Sequence, residues 1–526
     1  MILTGYLADL ISRFYDYNVP RMTTSPTPFN PVRLLRYITS FRFLISVAIV
    51  AKMFWACRSG FSDPDIWWHL RHAQYLVSNH KFLTEDTFSF TVAGMYYLHY
   101  EWLSELFYYL AYRSGGFIGT FIFCSAMLSI LMLGVYSLCE ARNRDWFTCG
   151  FAAVAATILA PVGSGPRMHL VGWLCFLVMF AILQRFRYHR DGKYLWLLPP
   201  LFCFWINCHP TWFFGLFTFS IVVASGFIPR DFGPLEASPW TPPEVKRLLI
   251  VFCLSVAAVF VNPFGYRLVK YPFDAILNQQ LNIGAISEWA PVNFGDQTGV
   301  VAFGVLGTLF AVAIFSNKQW RIDDFVLTVF VTYSALRHIR FFILAAIVLP
   351  VILVGQIRER SSALNLTPGK RLINAALVAV VILVFIATFP GADYIQRQID
   401  SELPSGAATY LRANPIQGNM FNWFEWGGYL GWARPDAKTF IDSRTDIFEY
   451  RGVLKDYLRA ISGDQTYEVL DKYQICYAVL PKAAPVAYFV GKSSGWKSMY
   501  SDEVSVVLAR PTCQALGNGS QYTGTE

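Results

Sequence analysis

Phe117-Ile118-Gly119-Thr120-Phe121-Ile122-Phe123-Cys124-Ser125-Ala126-Met127-Leu128-Ser129-Ile130-Leu131-Met132-Leu133-Gly134-Val135-Tyr136-Ser137-Leu138 contains no charged side chain. A helix needs about 20 such residues to cross roughly 30 Å of hydrocarbon, so the stretch reads as a membrane span. The same reading, carried outward, places further spans near residues 41–57, 147–162, 168–183, 194–206, 212–228, 248–261, 299–315, 325–336, 341–355 and 372–389. The chain is therefore expected to be an α-helical polytopic membrane protein of about eleven transmembrane helices. Composition agrees: 55% of the residues are hydrophobic and only 15% charged, against about a quarter charged in a soluble domain. Such a chain has too little polar surface to cover itself in water.

The formal net charge of +8 does not mark a nucleic-acid partner, because the basic residues collect in short loops between apolar runs. Arg33, Arg36 and Arg42, then Arg142 and Arg144, then Arg185, Arg187, Arg190 and Lys193 recur in every second loop, followed by Lys246 and Arg247, Lys318 and Arg321, and Arg358, Arg360, Lys370 and Arg371. By the positive-inside rule these loops are cytoplasmic. The N-terminus is then cytoplasmic, the loops 58–116 and 262–298 are external, and so is everything after Pro390. The expected setting is the cell (inner) membrane, in a multi-pass arrangement.

The expected division is a cytoplasmic segment 1–39, a membrane domain 40–390, an external soluble α/β domain 391–515 and a disordered tail 516–526 rich in Gly and Ser. Residues 2–15 have helical apolar spacing with Asp9, Arg13 and Asp16 opposite, which suits a helix lying on the membrane surface or docking a protein partner. Pro20, Pro26, Pro28 and Pro31 follow as an extended linker. No small-residue cleavage pattern follows the first apolar run, so the N-terminus is expected to be retained. In 391–515, strands are expected at 439–441, 475–480 and 504–509 and helices at 453–461 and 466–473. The cysteines are scattered, mostly in apolar runs, and read as small buried hydrophobes; only Cys476 and Cys513 fall in the terminal domain, where a disulfide is the alternative to that reading.

The first external loop carries the densest chemistry. It opens Phe61-Ser62-Asp63-Pro64-Asp65-Ile66-Trp67-Trp68-His69-Leu70-Arg71-His72, which puts Asp65 at the N-cap of a helix carrying His69 and His72. On the plainest account Asp65 only caps that helix. The loop ends Tyr97-Leu98-His99-Tyr100-Glu101-Trp102-Leu103-Ser104-Glu105-Leu106, a second helix start with two carboxylates on one face. Glu101 and Glu105 are either a solvated edge or acids kept beside a membrane for a reason.

These segments resemble the GT-C superfamily of membrane glycosyltransferases, in particular its bacterial protein-mannosyltransferase and lipopolysaccharide-sugar-transferase branches. In that resemblance Asp63-Pro64-Asp65 matches the acidic motif of the first external loop. Leu98-His99-Tyr100-Glu101-Trp102 occupies the place of a His-Pro-Pro-Leu segment, with Pro-Pro absent here. The chain is more specifically similar to a group of bacterial membrane proteins with Asp-Pro-Asp-x-Trp-Trp-His, Glu-Trp-Leu-Ser-Glu, Asn-x-His and Asn-Pro-Phe-Gly segments. Here the last two are Asn207-Cys208-His209 and Asn262-Pro263-Phe264-Gly265, followed by Trp426-Gly427-Gly428-Tyr429-Leu430 and Ile441-Asp442-Ser443-Arg444-Thr445-Asp446.

The resemblance implies a transferase that takes a sugar from a polyprenyl-phosphate carrier and adds it to a glycan, lipid or protein acceptor on the external face. Asp65 would be the base, Asp63 the next choice, and His99 and Glu101 would orient the acceptor or a metal. A divalent cation, Mg or Mn, would sit on Asp63 and Asp65 through oxygen ligands. Arg167, His169, His209, Arg337, His338 and Arg340 lie at outer helix ends, where cations would hold a leaving phosphate or snorkel to lipid head groups. Glu288 is a further candidate acid in the second external loop. Asp442 and Arg444 are either ligand contacts or a structural pair in a turn, and Gly427-Gly428 serves a close backbone approach. No nucleotide-phosphate loop, dinucleotide fingerprint or zinc spacing occurs, which favours a lipid-carried donor. Two other classes remain open: a noncatalytic membrane subunit of a larger complex, and a lipid or solute transporter, which should show internal repeats and midplane charges.

Overall fold

The computed structural model describes residues 31–160, 165–279, 281, 284, 287–316, 318–359, 368–493 and 495–511. The helix expected at 2–15, most of the proline linker, Cys513 and the tail at 516–526 lie outside the described residues. The chain divides into two compact units, each built from three separate stretches.

The first unit draws on Met1–Arg58, Gly119–Pro272 and Ile286–Phe389 and is helical apart from one short strand pair. Five described helices are long and apolar enough to cross a membrane, Trp102–Arg142, His169–His189, Gln297–Phe315, Ile339–Gln356 and Lys370–Thr388. The other expected spans are shorter helices, such as Trp146–Leu159, Leu198–Ile206 and Trp212–Ser225. Phe342–Gln356 forms the centre, with nearly every side chain buried despite Pro350 within it. By contrast, Gln297–Phe315 and Lys370–Thr388 leave most of their apolar side chains on the surface, Phe303, Ile314 and Leu383 among them. An apolar surface of that size is incompatible with water and calls for lipid.

Lipid tails are as apolar as leucine, so packing between such helices depends on close approach and on polar pairs. Gly134 shows the first: a Cβ there would lie 2.3 Å from Leu177 Cδ2. Arg187 shows the second. The positive-inside reading puts it in a basic loop, but the helix His169–His189 carries it inward, and its guanidinium is fully buried. Its Nε lies 2.6 Å from Asp323 and its Nη2 2.7 Å from Asp324, at the start of the helix Ile322–Arg337. Acids in that first turn also meet the positive end of their own helix.

The second unit draws on Ser59–Ile118, Phe273–Ala285 and Pro390–Glu526. The stretch Ser59–Ile118 therefore folds with the C-terminal region. The physical reason is a shared core: Val92 and Tyr97 pack with Phe421, Phe440, Ile441, Tyr457 and Leu480. Backbone pairing reinforces it, since Phe90 N–H donates to Thr439 O at 3.1 Å and Thr439 N–H to Phe88 O at 3.1 Å.

This unit contains a four-stranded mixed sheet with the order Asn419–Asn422, Ile475–Pro481, Ser505–Ala509, Lys497–Ser501. The first pair is parallel and the other two antiparallel. The strands expected at 475–480 and 504–509 are its two central members, where continuous burial makes the sequence a run of apolar residues. Residues 439–441 are not a strand of this sheet; Thr439 makes only an isolated bridge to Ser89. Asn422 holds that segment by its side chain, accepting from Phe440 N–H at 2.8 Å and donating to Ile441 O at 2.7 Å.

The helix Trp102–Arg142 passes from one unit to the other. Its backbone leaves helical geometry only at Gly115 and Gly116, and Gly116 has φ +60° with ψ −148°. Side chains with a Cβ rarely occupy that region, which is why the break falls on glycine.

Candidate functional site

The helix Asp65–Asn79 begins one residue earlier than expected. Pro64 takes the cap position, Asp65 is the first helical residue, and Asp63 Oδ1 accepts the Asp65 N–H at 3.0 Å. Capping thus belongs to Asp63, because a proline lacks a donor and suits the helix entry. Asp65 is half-buried, and its Oδ1 accepts from Trp68 Nε1 at 3.3 Å; the same indole N–H reaches Ser443 Oγ at 3.0 Å. For a hard cation at Asp63 and Asp65, this leaves each carboxylate with one oxygen already engaged locally, and two such groups do not specify an ion.

Helical spacing places His69 and His72 one and two turns below Asp65 on the same face. Opposite them stand His99, Glu101 and Glu105. His69 Nδ1 donates to Glu105 Oε1 at 2.6 Å, His69 Nε2 is 3.4 Å from Glu101 Oε2, and His99 Nε2 lies against Glu105 Oε2. Glu105 is 1% and Glu101 7% exposed, so neither is a solvated edge. Burial opposes charge on His69, but the hydrogen bond to Glu105 and the charges of Glu105, Glu101 and Asp65 outweigh it and raise its pKa. Burial dominates at His72 and lowers its pKa to about 3, so its ring is neutral. The donor atoms of His72, His99 and Glu105 all fall within 4.8 Å of one another. The sequence places His72 on this helix but assigns it no role.

Asp442 and Arg444 resolve as a pair with a third member. Arg444 Nε and Nη2 reach the two Asp442 oxygens at 2.8 and 2.6 Å, and Nη1 lies 2.7 Å from Asp86 Oδ1. All three side chains are buried. Burial works against the Asp86 anion, yet the Arg444 charge and two hydrogen bonds from Ser89 hold its pKa below the usual range. Asp86 went unread in the sequence; the local signal is an Asp three residues before a Ser, a turn in which the carboxylate accepts both Ser89 N–H and Oγ–H. Gly427 and Gly428 do permit close approach, since Cβ atoms there would lie 2.0 Å from Ile441 O and 2.7 Å from Pro64 O.

The remaining candidates lie in the first unit. Arg167 forms an ion pair with Glu288, and the His169 and His209 rings are 6.0 Å apart. His169 lies within electrostatic reach of Arg167, His209 and Arg340. His209 Nδ1 accepts from Thr211 N–H at 3.0 Å, and Arg340 stacks 4.3 Å over the Trp289 ring. His338 Nδ1 donates to Trp289 O at 2.6 Å, while burial lowers its pKa against that carbonyl and with the charges of Arg337 and Arg340. Arg337 is exposed. Asn262 closes a turn, accepting from Phe264 N–H at 2.9 Å, with Gly265 at φ +58°.

No protein-family model matches the sequence, and no curated protein does. Among solved structures, the chain is similar to the Archaeoglobus fulgidus oligosaccharyltransferase in its apo form, with 13% identity and a TM-score of 0.48 over 84% of this chain and 70% of that one. It is also similar to the same enzyme in complex with Zn and sulfate, with 14% identity and a TM-score of 0.46 over 88% of this chain and 73% of that one.

Proposed function

We propose that the protein is a membrane glycosyltransferase that moves a sugar from a polyprenyl-phosphate carrier to an acceptor hydroxyl on the external face. The observation that carries this reading is the position of Asp65. It is the half-exposed end of a chain of acid and base groups whose other members, His69, Glu101, Glu105 and His99, are buried. A carboxylate at the surface end of such a chain can take a proton while its neighbours fix its charge and orientation.

In the inverting version the acceptor oxygen attacks the anomeric carbon, the bond from that carbon to the phosphate oxygen breaks, and the hydroxyl proton passes to Asp65. The phosphate leaves with the bonding pair, so cations that bind it stabilise the charge it gains. Arg167, His169, His209, Arg337, His338 and Arg340 are assigned that role. Cys476 is disulfide-bonded, which suits an oxidising compartment and supports an external position for its domain.

Asp65→Asn tests the assignment, since an amide keeps the size and can still accept from Trp68 Nε1. The expected result is a loss of about 100-fold or more in transfer from polyprenyl-phosphate sugars, the scale for removing a general base, with an unchanged melting temperature. Full turnover by the folded variant would remove Asp65 from the mechanism. Failure of the wild-type protein with every polyprenyl-linked donor would favour a noncatalytic subunit.

A further inference from the structure

Two imidazoles and one carboxylate converge in the second unit: Glu105 and His99 belong to the chain behind Asp65, while His72 has no part in the proposed reaction. His72 and His99 are fully buried and Glu105 is 1% exposed. Neither ring nitrogen of His72, nor His99 Nδ1, has a hydrogen-bond partner among the described residues. A buried polar atom without a partner is costly, so native proteins rarely leave several together.

We propose that His72, His99 and Glu105 are the protein ligands of one zinc-type divalent ion, with His69 as the outer partner that orients the carboxylate. The donor set argues for the class of ion, because imidazole with carboxylate suits zinc and its transition-metal neighbours, whereas Mg and Ca take oxygen ligands. Tetrahedral zinc with bonds of about 2.0–2.2 Å spaces its ligand atoms by roughly 3.3–3.5 Å. His72 Nδ1 is 3.5 Å from Glu105 Oε1, that spacing and too long for a good hydrogen bond. His69 Nδ1, at 2.6 Å from the same oxygen, is a hydrogen-bond donor to the carboxylate. Three protein ligands leave a fourth position for water or another group.

Burial also says what the ion does. It joins the helix Asp65–Asn79 to the segment before Trp102 and to the first turns of the helix that follows, fastening both ends of the first external loop. This inference does not rest on the transferase reading, and it names ligands other than Asp63 and Asp65.

The test uses the full-length protein in detergent, with any affinity tag removed. Purified without added metal, it should carry about one zinc per chain by elemental analysis. Stripped with a chelator, it should melt earlier, recover with Zn²⁺, and give the visible bands of tetrahedral cobalt when Co²⁺ is added instead. His72→Ala and Glu105→Gln should abolish stoichiometric binding, while His69→Gln should weaken it by about 10–100-fold. Asp63→Asn and Asp65→Asn should leave it intact. The stripping and cobalt steps need no variant, so a His72 variant that fails to fold does not shield the proposal. A wild-type protein with no bound metal and no response to Zn²⁺ or Co²⁺ overturns it. So does unchanged binding by folded His72→Ala, which would mean an adventitious ion only, or loss of metal on Asp63→Asn.

Discussion

Replacing Arg444 by Met keeps the length of an apolar stem and removes the guanidinium that two buried carboxylates share. In the native protein that group makes a bidentate contact with Asp442 at 2.8 and 2.6 Å and an ion pair with Asp86 at 2.7 Å. It also lies 5.3 Å from the ring centres of both Phe88 and Tyr97. Arg444 and Asp442 are each 2% exposed and Asp86 1%, so water cannot replace what is lost. Breaking a buried pair by removing one partner costs about 3–5 kcal/mol, since the remaining charge stays buried. Here two charges remain, which puts the expectation at the upper end. For a unit of about 200 residues each kcal/mol moves the midpoint by about 2–4 °C, so the apparent melting temperature should fall by roughly 10–20 °C. Buried Trp67, Trp426 and Trp496 in the same unit supply a fluorescence readout, taken at one fixed scan rate because membrane proteins unfold irreversibly. Arg444→Lys should recover only part of the loss, because one ammonium cannot reproduce the fork. Adding Asp86→Asn to Arg444→Met should restore stability by removing one stranded charge. A melting temperature within about 2 °C of wild type for Arg444→Met would refute this account and return Arg444 to the role of a ligand contact.

Gly427→Ala would set a Cβ 2.0 Å from Ile441 O, a backbone atom that cannot swing away, so a loss of about 1–3 kcal/mol or more is expected in thermal melts. Desolvation raises the pKa of buried Asp446 to about 7, against an unfolded value near 4. The folded state then holds the extra proton between those values, so its contribution is fully present below about pH 4 and is lost as pH rises through about 7. Asp446→Asn should flatten that slope in melts taken from pH 4 to 8; an identical slope in the variant would contradict it. For topology, a membrane-impermeant thiol reagent applied to intact cells should label a cysteine engineered at Ser493 and spare one at Arg190, and the reverse pattern would invert the orientation.

Much of the fold could be read from neighbours along the chain. Apolar runs long enough to cross a bilayer, the helix starting near Asp65, the one starting near Trp102 and the two apolar strands 475–480 and 504–509 are all local patterns. Each follows from transfer free energy or from the period of a helix or strand, quantities that a short window contains. The strand Asn419–Asn422 escaped because four residues of mixed polarity carry no period. The candidate site was legible in part for the same reason: His69 and His72 share a helix face with Asp65, and Glu105 follows Glu101 by one turn. Their convergence was not legible. His69 and Glu105 are 36 positions apart, and Arg444 meets an aspartate in a loop near the other end of the chain. Nor does the sequence show that Arg187 meets its counter-charges, Asp323 and Asp324, on a distant helix. A lone sequence states which charges exist but not which of them lose water together, and that desolvation decides whether an Asp or His is a solvated surface group, a structural pair or a ligand.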